Sequence, residues 1–125
     1  MISSTFNNQL NILMTEFKGG ITKEAISNYL TEFRENNYSQ KKLKSIVDAT
    51  NASYEFSFKD LSDLNKIKNK SLESYDMVII AVIINSPATA AISMLFSAIA
   101  NTKRYKYRVF STYEAALFWV NSFSL

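Results

Sequence analysis

The sequence predicts an α/β fold in which about four helices cover a mixed, mostly parallel sheet of four to five strands. Strand patterns and helical patterns alternate four times along the 125 residues, with short connections. Such alternation is typical of parallel strands joined by right-handed crossovers. The run "MVIIAVII" (77–84) has the continuous β-branched character of a strand covered on both faces. With 47% apolar and 20% charged residues, we expect residues 1–125 to form a single soluble domain.

The first unit begins with a strand over residues 9–18, which we expect to pair with a short strand over residues 2–6. Gly19 and Gly20 are predicted to end the longer strand, since adjacent glycines commonly break regular structure. Thr22 is a suitable N-cap for the helix that follows, whose apolar residues recur at helical spacing.

The second unit consists of a strand over residues 42–49 and a helix whose start is marked by Ser57 and Asp60, which form a capping pair. Helical periodicity directs Leu61, Leu64 and Ile67 of this helix inward. Its late lysines, Lys66, Lys68 and Lys70, are placed where the helix dipole favours positive charge.

The third unit joins the strand at 77–84 to a helix through Asn85, Ser86 and Pro87, with Ser86 as N-cap and Pro87 at the first helical position. This turn chemistry indicates a strand and a helix, although residues 77–101 contain no charge and are long enough for a membrane span. The helix is predicted to bury Ala88, Ala91, Ile92, Leu95, Phe96 and Ile99.

The opposite face of that helix also lacks charge, which is unusual for a solvated helix. We therefore expect a second copy of the chain, as a homodimer, or another protein to cover it; the competing interpretation is burial within the monomer. The candidate interface residues are Thr89, Ala90, Ser93, Met94 and Ser97.

The fourth unit is the strand "YKYRVF" (105–110) and a final helix with Ser111 and Glu114 as its capping pair. The strand interleaves tyrosines with basic residues, as single-strand nucleic-acid grooves do. Edge strands show the same pattern, because charges on one face discourage pairing with other molecules. A net charge of +3 is modest for a nucleic-acid-binding domain, so we expect no nucleic-acid partner.

The composition excludes most kinds of catalytic site. The chain has no cysteine and no histidine, and its two glycines are adjacent, so thiolate and imidazole chemistry and glycine-rich phosphate loops are excluded. We expect no metal site, no cofactor and no enzymatic activity. Asp48 is a single carboxylate without a Lys or His beside it in the sequence, which is weak support for catalysis. The first residues lack the pattern of a signal peptide, which favours the cytoplasm.

The polar segment "DATNASYEF" (48–56) lies at the predicted carboxyl edge of the sheet, where ligands and partners of α/β proteins usually bind. We predict that it forms a recognition loop, with Asp48 and Thr50 at its base. The competing interpretation is structural: Asp48 and Asn51 bind the local backbone as Asx turns do, while Tyr54 and Phe56 pack the segment down. The candidate recognition residues are Asp48, Thr50, Asn51, Ser53 and Tyr54.

Four segments together resemble the STAS superfamily in its SpoIIAA-like branch, which is related to the CRAL-TRIO lipid-binding fold. They are "GGITKEAISNYLTEF", "LKSIVDAT", "DMVIIAVI" and "RVFSTYEAALFWV", and the last is the most specific, with Phe110, Ala116, Trp119 and Val120. The resemblance covers nearly the whole chain. It implies a non-enzymatic regulatory or protein-interaction domain similar to anti-sigma-factor antagonists. The alternative, also implied by the resemblance, is a small lipid-binding or apolar-ligand-binding domain.

The same resemblance identifies a candidate phosphate acceptor. Anti-anti-sigma relatives carry Asp-Ser-Ser-Gly after the corresponding strand, and the second Ser accepts the phosphate. Asp48-Ala49-Thr50-Asn51 occupies these positions, so Thr50 matches the acceptor. The chain departs from the pattern in two ways: Asn51 replaces the glycine, and the next helix is predicted to begin only at Ser57.

Overall fold

The computed structural model describes residues 1–35 and 41–124. These residues form five strands, four α-helices and a short 3-10 turn. In chain order they are β1 (Ile2–Asn7), β2 (Ile12–Ile21), α1 (Lys23–Glu35), β3 (Lys42–Tyr54), the 3-10 turn (Phe58–Asp60), α2 (Leu61–Ser71), β4 (Met77–Ile83), α3 (Pro87–Ala100), β5 (Tyr105–Phe110) and α4 (Tyr113–Asn121).

The five strands form one mixed sheet in the order β1-β2-β3-β4-β5. β1 pairs antiparallel with β2, and every other pair is parallel. The predicted fold class, including the short first strand and the mostly parallel sheet, is therefore confirmed. β5 is an edge strand, as the interpretation of its alternating tyrosines and basic residues requires.

The sheet separates two hydrophobic cores because successive residues of β4 point to opposite faces. Ile79, Ala81 and Ile83 join Ala116 and Val120 of α4 in the smaller core. Val78, Ile80, Val82 and Ile84 join residues of α1 and α3, and Leu72 just after α2, in the larger core. Phe110 and Trp119 pack at 5.5 Å between ring centroids beside the smaller core. Helices therefore cover both faces, three on one side and α4 on the other.

Two predicted helix starts are confirmed. The Thr22 side chain accepts a hydrogen bond from the Ala25 amide at 3.1 Å. At Ser57 the backbone amide donates to the Asp60 carboxylate at 3.0 Å, and the Ser57 hydroxyl accepts from the Lys59 amide at 3.3 Å. This capping box opens the 3-10 turn that leads into α2.

Two local predictions are wrong. Gly19 and Gly20 do not end the second strand but lie within β2. Gly19 adopts a φ of 77°, in the left-handed region that glycine tolerates, so the strand continues through it. The N-cap of α4 is Thr112, not Ser111, because the Thr112 hydroxyl accepts from the Ala115 amide at 3.2 Å. Within the described residues, no helix has the length and apolar character needed to cross a membrane.

Candidate functional site

The polar segment at residues 48–54 is a strand, so the prediction of a recognition loop is wrong in conformation. β3 continues to Tyr54, whereas its pairing with β4 ends at Asp48. Beyond that point β3 pairs with β2 only, from Lys18 to Ile21. The sequence does not predict this extension of β3, because Asp, Asn and Ser are uncommon in strands. The segment thus forms a two-stranded ribbon that extends past the carboxyl edge of β4.

A β-bulge at the base of this ribbon explains the position of Thr50. Glu16 pairs with Asp48 and Lys18 pairs with Asn51, so β3 contains one more residue than β2 between these two pairs. The extra residue leaves the Thr50 amide outside the regular ladder, and the Asp48 side chain accepts from this amide at 3.0 Å. The Thr50 hydroxyl donates to the same Asp48 oxygen at 2.7 Å. Asp48 therefore stabilises the bulge, as the structural interpretation of the segment proposes.

Tyr54 anchors the far end of the ribbon to α3. Its hydroxyl lies 3.2 Å from the Ser93 hydroxyl, and its ring stacks on Phe56 with 4.9 Å between centroids. Burial raises the pKa of the Tyr54 hydroxyl, although the hydrogen bond with Ser93 opposes the shift. Asn51 and Ser53, in contrast, are exposed. Of the candidate recognition residues, these two are therefore the most available to a partner.

The predicted orientation of α3 is wrong. Thr89 and Ser93, assigned to the candidate interface, are buried, and Ala90 and Ser97 are partly buried. Met94 is the only member of that predicted set that is exposed. The side chain of Ser93 contacts Tyr54, and the Ser97 hydroxyl donates to the Tyr107 carbonyl at 3.1 Å. Small hydroxyl side chains thus hold α3 on the sheet through hydrogen bonds.

Four residues of the apolar stripe predicted to be buried, Ala88, Ala91, Leu95 and Ile99, are consequently exposed, whereas Ile92 and Phe96 are partly buried and face the sheet. Met94, Leu95 and Ile99 are 62%, 53% and 47% exposed. Three alanines lie on the same exposed side, and no residue from 87 to 100 is charged. We call this surface the outer face of α3; its residues are Ala88, Ala91, Met94, Leu95, Ala98 and Ile99.

An apolar cavity of about 70 Å³ lies between the sheet and helices α1, α2 and α3. Its walls include Tyr29 from α1, Leu64 from α2 and Phe96 from α3, with Val47 and Val82 from the sheet. The lining residues are aliphatic or aromatic, apart from Ser93. Nothing in the periodicity of the sequence indicated this space, because a packing gap depends on the relative positions of three helices.

A second, polar recess of about 50 Å³ lies beside Lys68, at the amino-terminal edge of β4 and β5. Lys68 is only 2% exposed, whereas helical periodicity had directed Ile67 inward and left Lys68 at the charged end of α2. Its ammonium donates to the Ala100 carbonyl at 3.0 Å and lies 4.1 Å from the centroid of the Tyr105 ring. Burial lowers the pKa of Lys68 to about 8. The buried residues of α2 are Leu61, Leu64, Lys68 and Ser71. Their helical spacing is the feature of the sequence that could have indicated the burial of Lys68.

No described group of three or more acidic side chains is placed to hold a metal ion. The rim residues at the carboxyl edge do not converge on a nucleophile and a base either: Asp48 is engaged by Thr50, and its contacts are those of the bulge. Candidate surfaces among the described residues are the outer face of α3, the apolar cavity beneath α3, the recess at Lys68 and the exposed Tyr113 and Phe118 of α4.

Comparison with solved structures supports the fold. The chain is similar to the crystal structure of an uncharacterized protein of the DUF3478 family, with a SpoIIAA-like fold, from Shewanella loihica PV-4. The TM-score is 0.61 at 16% sequence identity, and the match covers 96% of this chain and 92% of that chain. No protein-family model and no curated protein matches the chain. The chain therefore has a SpoIIAA-like fold, which confirms that part of the resemblance.

Proposed function

We propose that the chain is a non-enzymatic protein-interaction domain whose contact surface is the outer face of α3. The observation that supports this function is the exposure of Met94, Leu95 and Ile99 along a helix without charge. Contiguous exposed apolar surface commonly marks an interface, because solvation of the free surface costs about 25 cal/mol per Å² of apolar area. A partner that covers these side chains would remove that cost.

The occupant that best fits this face is a second copy of the chain. Two outer faces meeting across a twofold axis place the same residues on both sides of the interface. The chain has a net charge of +3, so two copies that meet through most of its surfaces would bring like charges together. Helix α3 carries no charge, so two copies can meet there without this repulsion. Ala88, Ala91 and Ala98 have short side chains, so two α3 helices can approach closely while Leu95 and Ile99 interdigitate.

Light scattering at high protein concentration tests this proposal. The wild-type protein is expected to have the mass of a dimer, and Leu95→Glu is expected to be monomeric, because it buries a carboxylate against its own symmetry copy. Phe118→Glu is the matched control: Phe118 is 81% exposed on α4, on the opposite side of the sheet. The control should retain the dimer mass. A monomeric wild type, or a dimer unaffected by Leu95→Glu, would contradict the proposal.

A second candidate function is the binding of a small apolar ligand, and the cavity beneath α3 is the observation that favours it. The cavity lies between the sheet and its helices, where this function requires it. Its volume of about 70 Å³ is smaller than the ~150 Å³ of an engineered apolar cavity that holds benzene. A lipid chain would therefore require α3 to move, so we place ligand binding second.

A further inference from the structure

The recess at Lys68 has a feature that neither candidate function uses: a buried cation without an acidic partner. Burial lowers the pKa of Lys68. Among the described residues, neither Lys68 nor Arg104 forms a salt bridge. A buried charge usually requires a paired charge or several hydrogen bonds. The Ala100 carbonyl and the Tyr105 ring supply only part of that requirement.

Lys68 and Thr102, which both line the recess, have donor groups without an acceptor among the described residues. The Lys68 ammonium has three N–H groups, and the described residues provide an acceptor, the Ala100 carbonyl, for one of them. The Thr102 hydroxyl oxygen accepts from the Arg104 amide at 3.2 Å and from the Tyr105 amide at 3.1 Å. Its own proton has no acceptor within the described part of the chain. Arg104, an exposed residue, lines the same recess.

The backbone holds these donors in place. The Thr102 amide donates to the Tyr105 carbonyl at 2.9 Å, and the Val78 amide donates to the Arg104 carbonyl at 2.7 Å. The turn at residues 102–105 is therefore fixed both to itself and to β4. Lys68 is fixed by its contacts with Ala100 and Tyr105, so the side chain that a ligand would have to order is the exposed one of Arg104.

We propose that this recess binds a small oxyanion, a phosphate or carboxylate group, through Lys68, Thr102 and Arg104. The anion would accept from the free N–H groups of Lys68, from the Thr102 hydroxyl and from the Arg104 guanidinium. Charge-assisted hydrogen bonds of this kind are the strong ones, and guanidinium binds both classes of anion in a bidentate geometry. Glu73 also lines the recess, and its carboxylate would oppose the anion.

Amide chemical shifts in a titration of the ¹⁵N-labelled protein test the site, with ionic strength held constant by chloride. Inorganic phosphate and acetate are titrated separately to distinguish the two classes of oxyanion. We expect saturable shifts at Thr102, Arg104 and Tyr105 with one of them. Arg104→Gln should weaken the binding about tenfold, as the loss of a charge-assisted contact does. Glu73→Gln should strengthen the binding, which loss of structure would not do.

The pH dependence of the binding affinity gives an independent readout. If phosphate binds, the affinity is measured with sulfate, because the charge of sulfate is constant over this range. Otherwise it is measured with acetate above pH 6. The groups that face Lys68 across the recess are Glu73 and Tyr75 from the connection between α2 and β4, and Arg104 and Tyr105 from the β5 side. Burial raises the pKa of Tyr105, so it stays neutral as Lys68 loses its proton near pH 8. Affinity should therefore fall as the pH rises through 8. Chemical shifts that change linearly with anion concentration, by the same amount with chloride and in every variant, would mean an adventitious ion only and would overturn the proposal.

Discussion

Lys68 shows at the scale of one residue how a side chain can be both buried and basic in this fold. Its aliphatic part fills the position after Leu64 in the inward stripe of α2, and its ammonium reaches the last carbonyl of α3. Cations are favoured at helix C-termini, so the position offsets part of the cost of burial. The residue therefore links α2 to the end of α3 and makes the stability of the link depend on pH.

The free energy of unfolding is expected to rise between pH 8 and about 10. Burial lowers the pKa of Lys68 to about 8 from 10.5, so the unfolded chain binds more protons than the folded protein in this window. The slope is at most about 1.4 kcal/mol per pH unit. Above about pH 10 the effect reverses, since burial raises the pKa of Tyr105 and Tyr107 above their ordinary 10.0 and ionisation then favours unfolding.

Urea denaturation of Lys68→Met and Lys66→Met across pH 7–10 separates this effect from general titration. Lys66 is exposed on the same helix, so Lys66→Met should keep the rise, whereas Lys68→Met should lose it. A rise of the same size in both variants would assign the pH dependence to other groups.

The elements β3 and α3 show what the sequence could and could not predict. The existence of both was predictable from β-branched and helical patterns, but the length of β3 and the buried face of α3 were not. In β3, the bulge at Thr50 is stabilised by the Asp48 side chain, so residues that resemble a turn continue a strand. In α3, hydrogen bonds from Ser97 to the Tyr107 carbonyl, and between Ser93 and Tyr54, outweigh apolar periodicity. Such contacts depend on tertiary neighbours and leave no local signal.

Thr50 remains a candidate switch, and the bulge in β3 gives the switch a physical basis. A phosphate on its hydroxyl would place nearly two negative charges beside Asp48, where the hydroxyl now donates at 2.7 Å. The resulting repulsion would disturb the ribbon that Tyr54 attaches to α3. Thr50→Glu should therefore reduce recovery of a protein partner in a pull-down from the source cell. Thr50→Ala should preserve recovery, because the Asp48 bond to the Thr50 amide persists.

Equal recovery of the same partners by the wild type and both variants would leave Thr50 a structural residue of the bulge. A thermal melt of each variant provides the control. The hydroxyl hydrogen bond contributes about 1 kcal/mol, so Thr50→Ala should lower the Tm by only a few degrees.

At the scale of the whole molecule, helices cover the two faces of the sheet unequally. Among the described helices, α4 alone closes the smaller core, and its buried residues are the Ala116 and Val120 that the resemblance singled out. On the other face, α1, α2 and α3 close the larger core but leave the cavity of about 70 Å³. Ser93 contributes to this gap, because it lines the cavity and fills less volume than an aliphatic side chain would.

This incomplete closure leads to a prediction about the purified protein. An apolar cavity of this size and lining is expected to stay dry and is too small for a lipid chain while α3 keeps its hydrogen bonds to Tyr54 and Tyr107. Native mass spectrometry should therefore give the mass of the chain or of its dimer, without a bound small molecule. Protein refolded from denaturant, which would have lost any ligand, should give the same mass. An adduct at near-full occupancy that disappears on refolding would place ligand binding ahead of protein interaction, because α3 must then move away from the sheet to admit it.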